Sequence, residues 1–277
     1  MSIVIGIDAG ISSTKIVGIE NNKRIKSPMS VKGDDHISSI YGALGKYIHS
    51  NEIDLDEIEH VVITGVGSNE IAGTILGLPA SHVDEFTANG LGARFDSGLD
   101  HIIVVSMGTG TSLVRVDGDE IRHIGGIGMG GGTLQGLSHL LLQTSDIAEV
   151  SLLASMGDAT TVNLNVGDIS RDKIEGLHDN TTASLFAQAV QNLPSRYDIA
   201  AGLIHMVIET IGSCAVLSQL NGGFKDFVLI GNMTQLPACQ QIFDDLADLY
   251  QVRFHIPKYA YYCTALGAAL SFRYENE

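Results

Sequence analysis

One arrangement limits the fold of this chain more than any other: a short apolar strand, a glycine-containing turn and a second strand, found at the start of each half. In the first half the strands are residues 3–7 and 15–20. In the second half they are residues 102–106 and 112–116, with a tight turn at 107–110. Short apolar runs bounded by glycine turns are typical of buried strands. The sequence therefore predicts an internal duplication, in arrangement more than in residue identity.

The remaining patterns alternate between strands and helices. We predict further strands at 24–31, 60–64, 80–83, 121–124, 227–230 and 252–256. We predict helices at 37–48, 85–95, 147–156, 182–192, 198–220, 236–250 and 264–272, the first of them capped by Asp34 and Asp35. No low-complexity linker separates the halves, and we place the boundary near residues 98–100. The expected architecture is an α/β fold of two lobes, residues 1–98 and 99–277.

The composition limits which partners the protein can bind and in which cellular compartment it is expected. The 277 residues are 44% hydrophobic and carry a formal net charge of −16. This charge argues against a nucleic acid or an anionic membrane as partner, because both bind basic surfaces. The cysteines are too few and too far apart for a disulfide framework or a structural zinc site. We find no signal-peptide pattern and no apolar run of the roughly 18–20 residues that a membrane span needs, so we expect a cytoplasmic protein.

Residues 125–136 (GGIGMGGGTLQG) contain seven glycines and run directly into the apolar segment 137–142. Glycine lets the backbone reach positive φ and lets a ligand approach the amides. A glycine run that opens a helix gathers free N–H groups and the positive end of a helix dipole, which together bind phosphate. The alternative is a flexible surface loop, but the run lies between segments with strand and helix patterns. We therefore interpret it as an anion-binding helix start.

Two turns carry the side chains that a nucleotide phosphate needs. The first is DAGISSTK at residues 8–15, and the second is GTGTS at residues 108–112. Turn amides and hydroxyls can hold phosphate oxygens, Lys15 can neutralise them, and Asp8 can bind Mg²⁺. Either turn alone is also compatible with an ordinary hairpin. Two such turns, each after a buried strand, favour a two-lobed phosphate clamp.

Two shorter motifs have both a structural and a functional interpretation. Gly231 and Asn232 follow the strand at 227–230, where a glycine would let a flat base approach the backbone, although the pair is also an ordinary helix start. Asp84 and Glu85 lie between a strand and a helix. One of them could be a general base at a cleft, or both could cap the helix and complement its dipole. The sequence alone favours capping.

Taken in order, these motifs resemble the superfamily of sugar kinases, actin and heat-shock ATPases, and within it the type II pantothenate kinases. GIDAG at 6–10, GTGTS at 108–112 and GGIGMGGGTLQGL at 125–137 match that family in order and spacing, and NTTASLF at 180–186 is similar to a later family segment. The resemblance covers nearly the whole chain. It implies two ribonuclease-H-like, actin-like lobes with mixed sheets flanked by helices, a nucleotide cleft between them, and a homodimer.

The resemblance also implies site residues. Glu85, in the context VDEF, aligns with the family's catalytic base, and Thr109 would lie near the acceptor hydroxyl. The implied ATP-binding residues are Asp8, Ala9, Gly10, Ile11, Ser12, Ser13, Thr14, Lys15, Thr109, Gly131, Gly132, Thr133, Leu134, Gln135 and Asn232. Asp8 is the implied Mg²⁺ ligand, and Glu85, Thr109, Arg122 and His123 are the implied acceptor-binding residues.

The chain departs from the family pattern at two places that bear on the site. Ile11 and Ser12 stand where the family has glycine and threonine, but hydroxyls remain, so phosphate binding is expected to survive. The family's arginine before the glycine loop is replaced by His123, and an arginine, Arg122, stands one residue earlier. A one-residue shift on a strand turns a side chain to the other face. Either His123 substitutes for the arginine, or the strand adjusts so that Arg122 reaches in.

The function implied is ATP- and Mg²⁺-dependent phosphorylation of pantothenate to 4′-phosphopantothenate, the first step of coenzyme A synthesis, with Glu85 accepting the hydroxyl proton. Three alternatives stay open: a kinase for another small hydroxyl compound, an activator ATPase of acyl-CoA dehydratases, and a weakly catalytic nucleotide-binding regulator. The activator needs cysteines that hold a cluster between subunits, and none of the three cysteines here stands in the expected glycine-turn context.

Overall fold

A computed structural model of the chain describes residues 2–21, 24–33, 35–68, 71, 73–170, 176–191, 193–219 and 222–274. The strands are β1 (Ile3–Ala9), β2 (Thr14–Glu20), β3 (Arg24–Ile25), β4 (Met29–Val31), β5 (Ile58–Thr64), β6 (Thr74–Ile75), β7 (Leu78–His82), β8 (His101–Met107), β9 (Thr111–Asp117), β10 (Glu120–Ile127), β11 (Leu164–Asn165), β12 (Thr182–Ser184), β13 (Asp226–Ile230) and β14 (Arg253–His255). The α-helices are α1 (His36–Ser50), α2 (Glu85–Ser97), α3 (Gly131–Leu142), α4 (Ile147–Ala154), α5 (Val166–Ile169), α6 (Arg196–Leu217), α7 (Ala238–Tyr250) and α8 (Cys263–Tyr274).

Two mixed sheets with matching strand order form the framework. The first sheet runs β3-β2-β1-β5-β7-β6, with β4 also paired to β2, and the second runs β10-β9-β8-β13-β14. Each sheet contains an antiparallel hairpin, β1–β2 or β8–β9, whose first strand pairs in parallel with a later strand, β5 or β13. A further parallel strand follows on the same side in both sheets. The predicted duplication is therefore confirmed at the level of topology.

The two sheets are separated by a helical layer, and each has further helices on its outer face. Helix α1 packs its buried residues on the outer face of the first sheet. Helices α3, α4, α6 and α7 cover the outer face of the second sheet and form the largest apolar core. Between the sheets lie α2 and α8, which contribute Ala88 and Ala265 to the core beneath β1, β2 and β5, and Ala93 and Cys263 to the core beneath β8, β9 and β13.

Helices α2 and α8 cross with almost no space between their backbones. A Cβ atom added to Gly267 would lie 1.7 Å from the carbonyl oxygen of Ala88, and one added to Gly92 would lie 2.1 Å from that of Cys263. At the same crossing, the Thr264 hydroxyl donates to Oδ1 of the fully buried Asn89 at 2.7 Å. Only glycine permits this approach, since any side chain would meet backbone. The crossing fixes the start of α2, which lies at the cleft.

The first sheet also receives the last helix of the chain. A Cβ atom on Gly6 would lie 2.0 Å from the carbonyl oxygen of Ala265, so β1 and α8 are in direct backbone contact. The predicted division at residues 98–99 separates the strands of the two sheets, whereas α8 returns to the first. The division into lobes of residues 1–98 and 99–277 stays a prediction. Helix α8 lies in the second range of residues but packs against the first sheet.

Two predicted elements differ from those in the structure. The helix predicted at 182–192 is wrong: Thr182–Ser184 pairs with β11, and Ala187–Val190 forms one 3₁₀ turn, while Asn192 lies outside the described residues. Phe186 adopts a left-handed conformation with φ of 61°, which ends any helix at that point. The strand predicted at 24–31 is split into β3 and β4. The α1 cap is Asp35, whose carboxylate accepts from the Ser38 amide; Asp34 lies outside the described residues.

Helix α6 corrects the expectation that no segment is long and apolar enough to cross a membrane. By length and composition alone, this 22-residue helix is long and apolar enough to cross a membrane. It packs against α3, α4 and α7, and more than half of its apolar window is buried. Its interior acid, Glu209, accepts from the Thr182 hydroxyl at 2.8 Å and lies 2.7 Å from Nε2 of His205. This is the arrangement of a core helix of the second lobe.

Candidate active site

A cavity of about 470 Å³ opens between the two sheets where both hairpin turns meet the start of α2. Ligand sites in proteins are commonly of this size and lie between lobes. The residues that line it are Asp8, Gly10, Ile11, Ser12, Lys15, Val66, Glu85, Phe86, Ser106, Gly108, Thr109, Gly110, Thr111, Ser112, His123, Gly126, Ile127, Gly231, Asn232 and Thr264. The cavity thus gathers residues from the N-terminal hairpin, the middle of the chain and the last helix.

The first hairpin presents a charged pair and a polar turn to this cavity. Asp8 and Lys15 are register partners on β1 and β2, so their side chains lie side by side on one face. Lys15 Nζ is 3.3 Å from Asp8 Oδ2, and both side chains are almost fully buried. The ammonium also lies 5.0 Å from the centroid of the Tyr261 ring, within cation–π range. Gly10, Ile11 and Ser12 form the exposed tip of the turn.

The second hairpin supplies hydroxyl groups at the opposite wall. Thr109 lies at the tip of the turn, where the Gly108 amide donates to the Gly110 carbonyl at 2.9 Å. Ser106 and Ser112, which are register partners on β8 and β9, line the cavity behind it. The two walls therefore offer hydroxyls, turn amides and one ammonium group to a ligand between them.

The glycine run lies behind the second turn instead of facing the cavity with a free helix start. Its first part is the end of β10, and α3 begins at Gly131. The Gly131 amide donates to the Gly108 carbonyl at 2.8 Å, and the Gly132 amide donates to the Thr109 carbonyl at 2.9 Å. A Cβ on Gly130 would lie 2.6 Å from the Thr109 carbonyl oxygen. The expectation that these two helix-start amides are open to a phosphate is therefore not met, because they hold the turn.

Gly231 and Asn232 join the two lobes at the mouth of the cavity. Gly231 has φ of 98°, and a Cβ there would lie 2.6 Å from the Met107 carbonyl oxygen, so the position requires glycine. The Asn232 amide Nδ2 donates to the Ser12 hydroxyl at 2.9 Å, across the cleft. Its Oδ1 is buried and has no hydrogen-bond partner among the described residues. A buried carbonyl oxygen without a partner costs free energy, so a ligand that donates a hydrogen bond to it gains binding free energy.

The neighbouring acids Asp84 and Glu85 have separate roles. Asp84 is the N-cap of α2, and its carboxylate accepts from the Thr87 amide at 2.9 Å. Glu85, the first residue of the helix, faces the cavity. The residue is exposed to the cavity. Desolvation, together with the negative charges of Asp8 and Asp84, raises the pKa of the Glu85 carboxyl, while Lys15 opposes the rise. Asp84 therefore caps the helix, whereas Glu85, an acid in the first turn that also complements the helix dipole, faces the cavity.

Arg122 and His123 lie on opposite faces of β10. His123 lines the cavity and stacks on Phe86 of α2, with ring centroids 3.9 Å apart and an interplanar angle of 15°. Arg122 is the register partner of Arg115 and does not line the cavity. The register shift in β10 falls after His123, between His123 and Gly125, so it does not bring Arg122 inward. Of the two alternatives, the structure favours His123.

Several predicted residues support the cavity without lining it. Ala9, Ser13 and Thr14 are buried beneath the first turn. Leu134 points into the core of the second lobe. The Thr133 hydroxyl donates to the Gly128 carbonyl, and the Gln135 amide donates to the Ser145 carbonyl. None of these side chains faces the cavity, so a contact with ATP stays a prediction for them and for Gly131 and Gly132.

Other lining residues were missed by sequence reasoning. Phe86 directly follows Glu85, so its place beside the predicted base in the first turn of a helix could have identified it. Ser106 could have been found from the strand alternation, because it is the register partner of Ser112 in the predicted GTGTS turn. Thr264 comes from α8, and no local pattern connects it to the turns. The described residues contain no group of three or more His, Cys, Asp or Glu side chains that could hold a metal ion.

Sequence relatives support a kinase family. The pattern of the Fumble family matches residues 99–270. The type II pantothenate kinase of Staphylococcus aureus strain USA300 is 31% identical over 236 residues, which cover 82% of this chain and 84% of the relative. That of the bovine strain RF122/ET3-1 is 30% identical over the same length and coverage.

Solved structures confirm the predicted two-lobed α/β fold. Component A of the (R)-2-hydroxyglutaryl-CoA dehydratase of Acidaminococcus fermentans superposes with a TM-score of 0.70 at 18% identity, covering both chains fully. A ROK-family glucokinase from Streptomyces griseus, solved with glucose and AMPPNP, superposes with a TM-score of 0.62 at 16% identity, over 98% of this chain and 99% of that one. At such identities the likeness shows the fold alone. On the family pattern and the staphylococcal relatives together, the chain belongs to the Fumble family and is a homologue of the type II pantothenate kinases.

Proposed function

We propose that the protein transfers the γ-phosphoryl group of ATP to pantothenate, giving 4′-phosphopantothenate for coenzyme A synthesis. The observation that carries this proposal is the meeting of both phosphate turns, the Asp8–Lys15 pair and Glu85 around one cavity. Homology to the type II pantothenate kinases supports a phosphotransferase, and the activity of the staphylococcal relatives suggests the acceptor. The cavity supplies groups for each part of the reaction.

The residues present suit a magnesium nucleotide. Thr109, Ser12 and the turn amides can bind phosphate oxygens, and Asn232 has a buried carbonyl oxygen that lacks a donor. Lys15 provides the positive charge that phosphates require in a chain of net charge −16. Asp8 would hold Mg²⁺, since carboxylate oxygens are ligands that this ion prefers. The ion would neutralise charge on the phosphates during transfer.

In this proposal Glu85 accepts the proton of the acceptor hydroxyl. A general base works best when its pKa lies closer to the operating pH than that of an ordinary carboxyl. Desolvation and the charge of Asp8 move the pKa of Glu85 in that direction. Phosphoryl transfer needs mainly positioning and charge stabilisation, so the proposal needs no covalent enzyme intermediate. The glycine run contributes by holding the Gly108–Gly110 turn rigidly in place.

The test is ADP release measured with and without pantothenate, followed by mass spectrometry of the product. Stimulation by pantothenate, with a product heavier by one phosphoryl group, supports the proposal. Slow ADP release that is indifferent to pantothenate would instead identify a weakly catalytic ATPase or a nucleotide-binding regulator. A screen of other small hydroxyl compounds belongs in the same experiment, because the side chain at the acceptor end is His123 and not arginine.

We also propose that the protein acts in the cytoplasm as a homodimer. In the described part of the chain, the second lobe exposes several large apolar side chains on α3, on α4 and in the turn that follows α4: Leu140, Leu141, Leu152 and Met156. Clusters of exposed large apolar residues are typical of protein–protein contacts. The second copy would cover them.

A further inference from the structure

The ammonium group of Lys15 is held by side chains from distant segments of the chain. Lys15 lies on β2 between Asp8 on β1 and Ser30 on β4, which are its register partners on the two neighbouring strands. Register partners place their side chains on one face of a sheet. The Asp8 carboxylate lies 3.3 Å from the ammonium, and the centroid of the Tyr261 ring lies 5.0 Å from it. The ring therefore lies over the ammonium beside the carboxylate.

Tyr261 is itself fixed by contacts at two places on its side chain. It belongs to the 3₁₀ turn Ala260–Tyr262, immediately before α8. Its hydroxyl is hydrogen-bonded to the Ser30 hydroxyl at 3.1 Å, on the strand next to that of Lys15. The Tyr262 ring meets it edge-on, with centroids 4.8 Å apart and an interplanar angle of 86°. A ring held in this way has little freedom to move off the ammonium.

The ring meets the ammonium from outside the cavity. Among the lining residues, all of which the structure describes, Lys15 is the only lysine or arginine. Tyr261, which the structure also describes, is not one of them. The ring thus takes up none of the space for a ligand, and the ammonium stays in the wall with its remaining N–H donors available. A lysine side chain without such support has to be ordered when a ligand binds, which costs free energy.

We propose that Tyr261 is a positioning residue for the nucleotide: its ring holds the Lys15 ammonium in place for the triphosphate. This inference rests on the proposed use of ATP and deepens it. Asp8 is also the proposed Mg²⁺ ligand, so its carboxylate cannot serve the ammonium alone. An aromatic face attracts an ammonium group without carrying a negative charge. The ring can therefore hold Lys15 without repelling the phosphates, which a second carboxylate at the same place would do.

The experiment is a double-mutant cycle in which calorimetry measures the Kd of ATP in the presence of Mg²⁺. Tyr261→Leu removes the ring and should raise the Kd about five- to tenfold, the effect of having to order one long side chain on binding. Tyr261→Met, a second variant without the ring, should behave alike. In Lys15→Met, which has no ammonium, adding Tyr261→Leu should change the Kd by less than about twofold. Tyr261→Phe keeps the ring and should stay within about threefold of the parent.

A matched control is Tyr259→Leu, because the Tyr259 ring lies 4.9 Å from the ammonium of Lys258 and neither residue lines the cavity. It should leave the Kd of ATP within about twofold of its value with or without the Lys15 ammonium.

Three results would overturn the inference while leaving the proposed function intact. The first is a parent that binds ATP and a Tyr261→Leu protein that binds it equally well. The second is the same loss of affinity from Tyr261→Leu in the parent and in Lys15→Met, since the ring would then only support the fold. The third is a Tyr261→Phe protein as weak as Tyr261→Leu, which would assign the effect to the bond with Ser30. A parent that binds no ATP would instead refute the proposed function, and this inference with it.

Discussion

The crossing of α2 and α8 gives the sharpest test of how packing supports the site. In Gly267→Ala the new methyl group would start 1.7 Å from the Ala88 carbonyl oxygen and 2.8 Å from the Gly92 amide nitrogen. Carbon and oxygen atoms essentially never approach within 3.0 Å in this way, so the helices must separate by at least about 1.3 Å. Overpacking of this kind costs about 1–3 kcal/mol. The better helix propensity of alanine returns at most about 1 kcal/mol.

The same movement should reach the chemistry, since Glu85 is the first residue of α2. A displacement of about 1 Å in a reacting group can lower turnover by up to about a hundredfold. We therefore expect Gly267→Ala to lower the free energy of unfolding by about 1–2 kcal/mol and kcat by at least about tenfold, with a smaller change in the KM for ATP.

The assay is urea unfolding followed by circular dichroism, combined with steady-state kinetics. The control is Gly42→Ala on α1, an exposed helical glycine with no atom within 4 Å of its added Cβ. It should stabilise the protein by up to about 1 kcal/mol and leave kcat unchanged. A Gly267→Ala protein as stable and as active as the parent would show that the tight crossing is not what positions α2.

Three further predictions concern charged groups. Glu85→Gln should lower kcat by about 10²–10⁴-fold while ATP binding, measured by calorimetry, stays near that of the parent; turnover within a few-fold of the parent would remove Glu85 as the base. The pKa of Glu85 is raised in the folded state, so its ionisation opposes folding once the pH exceeds the usual glutamate range. Glu85→Gln should therefore have a higher free energy of unfolding than the parent at neutral pH, and the difference should disappear toward about pH 4. A difference that grows on acidification would contradict this prediction. Arg253 and His255 lower the pKa of Asp226 to about 2, so Asp226→Asn should destabilise the protein by about 1 kcal/mol at pH 7, with the difference closing as pH falls from about 4 to 2 in thermal unfolding scans.

Local chemistry in the sequence was enough to predict the walls of the site. The pairing of Asp8 with Lys15 follows from strand alternation across a short turn, and the strand pattern of both hairpins is strong because their apolar residues are buried on both faces. The position of Glu85 at a helix start was also evident. Which of the two adjacent acids would face the cavity was not, because that depends on the direction in which α2 meets the cavity.

What could not be predicted depends on contacts between distant segments. The glycine run has the composition of an anion-binding helix start, but the Gly108 and Thr109 carbonyls occupy its amides. Thr264 enters the cavity only because α8 packs on α2. The segment at 182–192 has helix-compatible residues, yet pairing with β11 and the left-handed Phe186 override that propensity. In each case a partner far along the chain decided the outcome.

The return of α8 to the first sheet affects how the protein is made. The face of β1, β2 and β5 that carries Val4 and Val17 is covered by Ala265, Leu266 and Ala269. During synthesis Ala88 of α2 covers only part of this face until α8 has been translated, about 170 residues after the first lobe. At about 5–20 residues per second the wait is roughly 10–35 s. Through that interval part of an apolar sheet face stays exposed on the nascent chain, so the core of the first lobe is completed only when α8 has been made.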